Sequence, residues 1–237
     1  MRRRWVKVLA VTVVVLAVLF TLVDRVAVHY ADEEATHLAA EKYDYRNTTD
    51  GRLAVQIEGF PFVTQALSRT LDHVELTASR FTIDTTNNAQ GGYLPVQQLR
   101  LDLHGVQVTS LAARSVEANL ATGTLALSYD ALSGAVTRLA GDGGPLHISQ
   151  APGSSGQAAR VRVTGTLDGR QVNSAGTLLA QGTEISLDLP GTDQPTATWR
   201  VQLPENVDFT QARATADGVR ISMVGHLVNL GSSRFTR

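Results

Sequence analysis

The sequence predicts an α+β protein in which an N-terminal transmembrane helix runs into a long amphipathic helix packed on a highly curved antiparallel β-sheet. Three observations predict this architecture. An uncharged apolar run stands near the start of the chain, and a segment without Gly or Pro follows it. From Asp50 onward, apolar residues recur at every second position in several segments, which is the period of half-buried strands.

The composition limits the classes of function. The 237 residues carry a net charge of −1, so no basic surplus is present to neutralise nucleic-acid phosphates. The absence of Cys excludes disulfides, thiol catalysis and Cys-ligated zinc. We expect residues 1–24 to form a cytoplasmic flank and membrane anchor, residues 25–230 a single domain, and residues 231–237 a loose tail.

The N-terminal segment has the signature of export. Val8–Val23 contains no charge, and basic residues precede it, which predicts a cytoplasmic N-terminus and an extracytoplasmic C-terminal domain. A sixteen-residue helix is ~24 Å long, slightly short for a hydrocarbon core of ~30 Å. Lys7 and Arg25 can extend it by snorkelling, and no small-x-small cleavage site follows. These features favour an uncleaved single-pass anchor, with a cleaved signal peptide as the alternative.

The helical segment continues from Asp24 to about Asp44. It carries an apolar stripe of mostly small residues at spacings of three and four: Val28, Ala31, Ala35 and Leu38. The acidic residues, Asp32 among them, are expected on the other faces. Small side chains allow this helix to approach another element closely.

The strands follow from alternation of apolar and polar residues. The apolar members are Leu53, Val55 and Ile57; Val74, Leu76 and Ala78; Leu99, Leu101 and Leu103; and Val116, Ala118 and Leu120. The alternation changes phase across Gly105 and across Gly123, which predicts a bulge or bend at each glycine. Long bent strands imply strong curvature of the sheet.

Shorter elements complete the pattern. Pro61–Ser68 and Asp130–Leu139 are predicted helices, the second with Asp130 as its N-cap. Strands are expected over Arg160–Leu189 and a final hairpin over Ala212–Val228, with Asp-Gly turns at 168–169 and 217–218. Gly141–Ala159 is rich in Gly and is predicted to be a mobile loop.

A search for chemistry finds no catalytic set. The six His residues form no HExxH motif or tight ligand pair, and GxSxG, GxGxxG and P-loop patterns do not occur. Asp102 and His104 lie on one face of a predicted strand, but an Asp-x-His pair alone is a weak signal of catalysis. The sequence therefore predicts a protein that is not an enzyme, with no catalytic residue, metal or cofactor.

The most distinctive string is Gly59-Phe60-Pro61-Phe62, which places three bulky apolar residues directly after a glycine. One interpretation is a hydrophobic plug that closes the end of a sheet. The other is a rim for an apolar ligand or a contact with a membrane. On the second interpretation, the exposed apolar residues form a lip that would bind lipid. The interior behind this lip would be lined by Leu99, Leu101 and Leu103. The predicted lip consists of Phe60, Pro61, Phe62 and Leu67.

Several segments together resemble a known family. They are VQIEGFPFVTQALSRTLDHVELTA at 55–78, LRLDLHGV at 99–106, ATGTLALSYDAL at 121–132 and TADGVRISMVGHLV at 215–228. Their order and spacing, with the N-terminal helix, are similar to those of the lipomannan elongation factor family of actinobacterial cell-envelope proteins. The Gly-Phe-Pro-Phe-x-Thr-Gln string is the most specific part of this resemblance.

The resemblance implies a non-enzymatic, exported phospholipid-binding protein with a long helix wrapped by a curved sheet, as in the tubular lipid-binding superfamily. Its expected partners are phospholipid and the cell membrane, with envelope glycosyltransferases as further partners and no nucleic acid. The implied role is in envelope lipid or lipoglycan assembly at the periplasmic side. The alternative is an anchored interaction or scaffold module for envelope enzymes that holds no ligand of its own.

Overall fold

The computed structural model describes residues 2–42, 51–84, 93–110, 115–139, 144–153, 158–167, 169–190 and 196–230. Within these ranges the chain forms three helices and eleven strands. The helices are α1 (Arg2–Lys42), α2 (Phe62–Ser68) and α3 (Tyr129–Leu139). The strands are β1 (Arg52–Glu58), β2 (Thr70–Asp84), β3 (Tyr93–Ser110), β4 (Ser115–Ser128), β5 (Leu146–Gln150), β6 (Ala158–Leu167), β7 (Arg170–Gln181), β8 (Glu184–Asp188), β9 (Ala197–Arg200), β10 (Val207–Thr215) and β11 (Gly218–Asn229).

The strands form two antiparallel sheets, and the predicted α+β class is confirmed. The larger sheet has the order β1-β2-β3-β4-β11-β10, and the smaller one has the order β5-β6-β7-β8-β9. The Phe209 N–H of β10 donates to the Gly182 carbonyl at 2.7 Å, which joins the two sheets. Their buried side chains belong to one apolar cluster, so a single core serves both sheets.

The larger sheet has one apolar and one polar face, as the two-residue period requires. Directly paired residues share a face, so each cross-strand row has one character. One apolar row, from β1 to β10, is Val55, Leu76, Leu101, Gly123, Met223 and Phe209. A row on the opposite face is Arg52, Ser79, Gln98, Ala126, Arg220 and Arg213. This arrangement confirms the predicted strands and places most of their polar residues outward. One predicted apolar member is wrong, because Leu120 of β4 pairs with His104 and so lies on the polar face.

A bend crosses four strands of the larger sheet. The pairing skips Asp72, Gly105, Asn119 and Leu227, which follow one another from β2 to β11. Gly105 has a φ of 61°, and a Cβ there would lie 2.5 Å from the Asn119 amide nitrogen. The predicted bend at Gly105 is therefore confirmed. The predicted phase change at Gly123 is wrong, because in β4 the buried side switches between Ala118 and Ala121, at the residues that face Gly105.

Two local predictions are also corrected. Asp130 is not the N-cap of α3, since the Ser128 hydroxyl accepts the Ala131 N–H at 3.1 Å and Asp130 lies in the first turn. The predicted Gly141–Ala159 loop contains strand β5, whose apolar residues Leu146 and Ile148 pack into the core. The rest of that stretch lies partly outside the described residues, as do Asp168 and the expected tail at 231–237.

Helix α1 is a single element that contains the apolar run and continues along the domain. Within Thr12–Ala40 an 18-residue window has a mean hydropathy of 1.9, so this part of the helix is long and apolar enough to cross a membrane. A signal sequence meets the same criterion of length and composition. Up to Val23 the described side chains are exposed, whereas Asp24 and Val28 are buried against the domain. At Asp24 the side chains of α1 thus change from exposed to packed against the domain.

The packed part of α1 lies along β1, the edge strand of the larger sheet. The Val55 N–H donates to the Thr36 hydroxyl at 2.9 Å, and the Ile57 N–H donates to the Asp32 carboxylate at 2.7 Å. Asp32 therefore lies on the packed side of α1, not on the outer side as the sequence predicted. These side chains occupy backbone donors that an edge strand would otherwise expose.

The contact between Asp32 and Ile57 predicts a loss of stability when the acceptor is removed. In Asp32→Ala the Ile57 N–H has no partner on α1, and the free energy of unfolding should fall by about 1–3 kcal/mol. Denaturation of the full-length protein in detergent, followed by tryptophan fluorescence, measures this loss, since Trp199 is buried in the core. Glu33→Ala is the matched control on the exposed side of the same turn and should change stability by no more than about 0.5 kcal/mol. Equal losses in the two variants would contradict a role for Asp32 in fastening α1.

Candidate functional site

The predicted lip is built on the turn from β1 into α2. Gly59 has a φ of 113°, and a Cβ there would collide with the Gln65 side-chain nitrogen. Glycine is therefore required both for the backbone conformation and for the close approach of α2. The peptide bond between Phe60 and Pro61 is cis. The string that the sequence singled out thus forms a tight turn that carries the chain from the sheet edge into the predicted helix.

Helix α2 is held at both ends. Pro61 supplies no side-chain cap, and the Val63 N–H of the first turn donates instead to the Asp24 carboxylate of α1 at 2.9 Å. A carboxylate at a helix N-terminus satisfies a free donor and interacts favourably with the helix dipole. After the last turn, the Val108 N–H of β3 donates to the Arg69 carbonyl at 2.9 Å. The lip is therefore attached to α1 on one side and to the sheet on the other.

The buried side of α2 is polar. Gln65 is 7% exposed, and its side-chain oxygen accepts the Asp72 N–H at 2.8 Å. Asp24 is fully buried, and among the described residues its second carboxylate oxygen and the Gln65 side-chain nitrogen have no hydrogen-bond partner. Two polar side chains thus fill the space between α1, α2 and β2.

The lip residues divide into two sets. Pro61 and Phe62 are half-buried, whereas Phe60 is 51% and Leu67 81% exposed. The Phe60 ring packs edge-on against Phe20 of α1, with ring centroids 6.3 Å apart. The lip therefore lies beside the last turn of the apolar run of α1, and it is not simply a plug within the core.

The three predicted interior leucines lie together on the apolar face of β3. Leu103 is buried, and Leu99 and Leu101 are half-buried at the edge of the core. The side chain of Leu101 lies over Gly123 of β4, where a Cβ would meet it at 2.5 Å. Five residues separate Leu103 from Val108, the β3 residue that binds Arg69, or about 17 Å along a strand. The leucines thus lead away from the lip in the order Leu103, Leu101, Leu99.

The Asp102 and His104 pair lies on the opposite, polar face. Its closest neighbour is His73 of β2, which the sequence analysis did not single out. The His73 ring stacks on His104 with centroids 4.5 Å apart, and its nitrogens lie 2.9 Å from the Glu58 carboxylate and 3.4 Å from that of Asp102. Within the described part of the chain, no hydroxyl is hydrogen-bonded to either ring. The arrangement is a network of ionisable groups.

A second feature of the polar face is an open cleft of about 550 Å³ at the other end of the larger sheet. Three arginines and one carboxylate contribute its charge: Arg52, Arg80, Arg220 and Asp217. The nearby Tyr129 hydroxyl donates to the Thr215 carbonyl at 2.7 Å, and burial, with a smaller effect of Asp217, raises the pKa of this phenol. The cleft has a mostly polar lining and lies across the sheet from the leucines, so it is separate from the predicted lipid site.

Asp24 and Gln65 are the residues at this site that sequence reasoning missed. Asp24 was interpreted as the flank of the apolar run, and Gln65 as part of the lip motif without a role of its own. The sequence signal for Asp24 is its spacing. One face of the helix carries residues at intervals of four, namely Asp24, Val28, Asp32 and Thr36. Because this stripe combines polar and apolar residues, a search for apolar periodicity does not detect it.

Comparison with known proteins is consistent with this geometry. No curated protein and no solved structure gives a significant match. A model of the LmeA-like phospholipid-binding family matches residues 22–223, which include the packed part of α1, the lip, both sheets and most of the final hairpin. The match covers most of the chain and agrees with the resemblance recognised from the sequence. The chain therefore belongs to the LmeA-like phospholipid-binding family.

Proposed function

We propose that this protein is anchored in the cell membrane by α1 and binds phospholipid on its extracytoplasmic side, in support of envelope lipid or lipoglycan assembly. Membership in a phospholipid-binding family supports the ligand class. The observation that carries the location of the site is the uneven coverage of the apolar face of the larger sheet.

This coverage is lowest over one group of leucines on β2 and β3, although Val55 of β1 beside them is buried. Leu125 of β4 and Ile221 of β11 are at most 1% exposed, but their neighbours Leu99 and Leu101 on β3 and Leu76 on β2 are half-buried. These three leucines are adjacent across the strand pairing. Apolar surface that the protein leaves partly uncovered, continuous with the core, is suited to an acyl chain.

Helix α1 forms the other wall of the proposed site. Its residues Ala35 and Ala39 pack at the margin of the core, and their small side chains allow the helix to lie close to β1. The proposed lip of Phe60, Pro61, Phe62 and Leu67 lies at the membrane end of this wall. An acyl chain passing the lip would follow Leu103, Leu101 and Leu99 along β3.

The energetics of such a site do not require a charged anchor. Each buried CH₂ contributes ~0.8 kcal/mol, so several methylenes against Leu and Val offset the cost of immobilising a lipid. Selectivity for a head group is then a separate property from affinity. A protein with a net charge of −1 can bind phospholipid in this way.

The contacts of α1 support its retention as an anchor. Phe20 packs on Phe60, and Asp24 caps α2. Both residues precede Val26–Glu33, where a cleaved signal peptide would leave the mature N-terminus, so the lost segment would include residues that contact the folded domain. Removal of this segment would expose Phe60 and leave the first turn of α2 without its acceptor. Because α1 is one unbroken helix, the same element would cross the membrane and support the lip.

We propose a non-enzymatic role, because among the described residues no hydroxyl is hydrogen-bonded to the His73 cluster and the family is named for phospholipid binding. Envelope glycosyltransferases are the proposed protein partners. An anchored scaffold without a ligand is the alternative function, and lipid binding distinguishes the two.

The first test of this function is the lipid content of a leucine variant. Leu101→Ala removes apolar contact from the proposed acyl-chain path, and we expect lipid affinity to fall about tenfold, equivalent to about 1.4 kcal/mol. Lipid extracts of the purified full-length protein, quantified by mass spectrometry per folded molecule, measure the change. Annular lipid around α1 is the same in every variant and cancels in the comparison.

Leu139→Ala is the matched control for Leu101→Ala. Leu139 is also a half-buried leucine packed against the core, but it lies on α3. It should lower stability without changing lipid per folded molecule. Equal lipid content in the wild type and both variants would contradict the proposed site and favour the scaffold alternative.

The second test concerns the anchor. The contacts of Phe20 and Asp24 predict that the mature protein remains in the membrane fraction and begins at or near Met1. Mass analysis of the protein from its native membrane identifies the N-terminus. A mature N-terminus between Val26 and Glu33, with the protein in the soluble fraction, would show that the segment is a cleaved signal peptide.

A further inference from the structure

Helix α2 reverses the pattern expected for a helix on a soluble domain at two positions, although its Phe62 and Val63 are half-buried. It buries Gln65, which is 7% exposed, and presents Leu67, which is 81% exposed. An amphipathic surface helix normally turns its apolar residues to the core and its polar residues to water. The reversal indicates that the outer side of α2 does not face bulk water.

Large exposed apolar side chains are few elsewhere in the described part of the domain. Outside α1 they are Phe60, Leu67, Tyr93 and Leu227. Phe60 and Leu67 belong to one short segment, and this segment is the one that touches the apolar part of α1. Two exposed apolar groups on one rigid support form a patch, whereas a single exposed residue needs no explanation.

The depth of this patch follows from its contact with α1. Phe20 lies within the uncharged run Val8–Val23, about 6 Å before Asp24 along the helix. The Phe60 ring is level with it, because the two ring centroids are 6.3 Å apart. If the apolar run occupies the hydrocarbon core, Phe60 lies at the boundary between the acyl chains and the head groups.

The charges around the patch suit that boundary. The Arg25 guanidinium lies 5.6 Å from the centroid of the Phe60 ring, and the exposed Arg69 follows α2 directly. Aromatic and basic side chains at this level contact acyl chains and lipid phosphates respectively. Apolar residues between two arginines therefore match a phospholipid surface.

We propose that Phe60 and Leu67 insert into the outer leaflet beside α1, so that the domain is docked on the bilayer at two points. The partner is the surface of the membrane that α1 spans, and the inference rests on the proposed anchoring by α1. The attachments of α2 to Asp24 and to β3 make the docked segment rigid. The lip of the acyl-chain path would then open directly onto the leaflet from which a phospholipid is taken.

The chain contains no Cys, so one introduced cysteine gives a unique labelling site. Phe60→Cys and Leu67→Cys test the proposed insertion. Tyr93→Cys is the matched control, because Tyr93 is 56% exposed but begins β3, about 50 Å along the strand from Val108. Each full-length variant carries an environment-sensitive fluorophore and is reconstituted into vesicles of phosphatidylcholine and phosphatidylglycerol.

Quenchers in the lipid phase and in the aqueous phase show whether each label is inserted into the bilayer or exposed to water. We expect nitroxides on the acyl chains to quench the labels at 60 and 67 and iodide in water to quench them several-fold less than the label at 93. Iodide quenching equal to that at 93 would overturn the proposal. Protection from both quenchers would also overturn it, because it would indicate a protein partner or a second copy of the chain on the patch.

Lipid content of the same preparations separates this proposal from the proposed function. Inserted labels with lipid content insensitive to Leu101→Ala would leave the docking intact and reject the acyl-chain site. Labels exposed to water in a protein that still loses lipid on Leu101→Ala would reject the docking alone. Release of the protein from the vesicles would reject the anchor, and the docking with it.

Discussion

The arrangement of the whole molecule depends on how α1 is fastened to the edge of the larger sheet. Thr36 and Asp32 are four residues apart, or about 6 Å along a helix, and they accept the N–H groups of Val55 and Ile57, which are two residues or about 6.6 Å apart along a strand. The two repeats match closely enough for consecutive contacts. This match fixes the position of α1 along β1 and protects an edge that could otherwise pair with another chain.

Asp24 extends the same face of α1 to α2, two turns beyond Asp32. The end of the apolar run, the lip and the sheet edge are thereby held in one register. A shift of α1 by one residue would rotate all three acceptors away from their donors. The position of the lip relative to the apolar run of α1 is thus set by hydrogen bonds, while the apolar stripe of Val28 and the alanines supplies close contact without a unique register.

Sequence patterns predicted the features that repeat. Alternation identified β1 to β4, and their apolar members share one face except Leu120, which lies beyond the bend on the polar face, because a two-residue period records which side is buried. The roles of Asp32, Asp24 and Ser128 were not predictable in this way, since each depends on one polar atom meeting one backbone donor. The bend in β4 was assigned to Gly123 because glycine is the local signal, but it is set across the sheet by Gly105. For the candidate site, the string from Gly59 to Leu67 was recognised, but its division into buried and exposed members required the position of α1.

The buried Asp24 contributes more to the positioning of α2 than to the stability of the fold. One of its carboxylate oxygens has no partner among the described residues, and a buried acceptor left in this state costs about 1–3 kcal/mol. An apolar residue there would avoid the cost but could pack against α2 in several rotations. The carboxylate accepts the Val63 N–H in one geometry, and that geometry turns Gln65 inward and Leu67 outward. The same buried carboxylate thus costs stability through one oxygen and, through the other, holds the segment that we propose to meet the membrane.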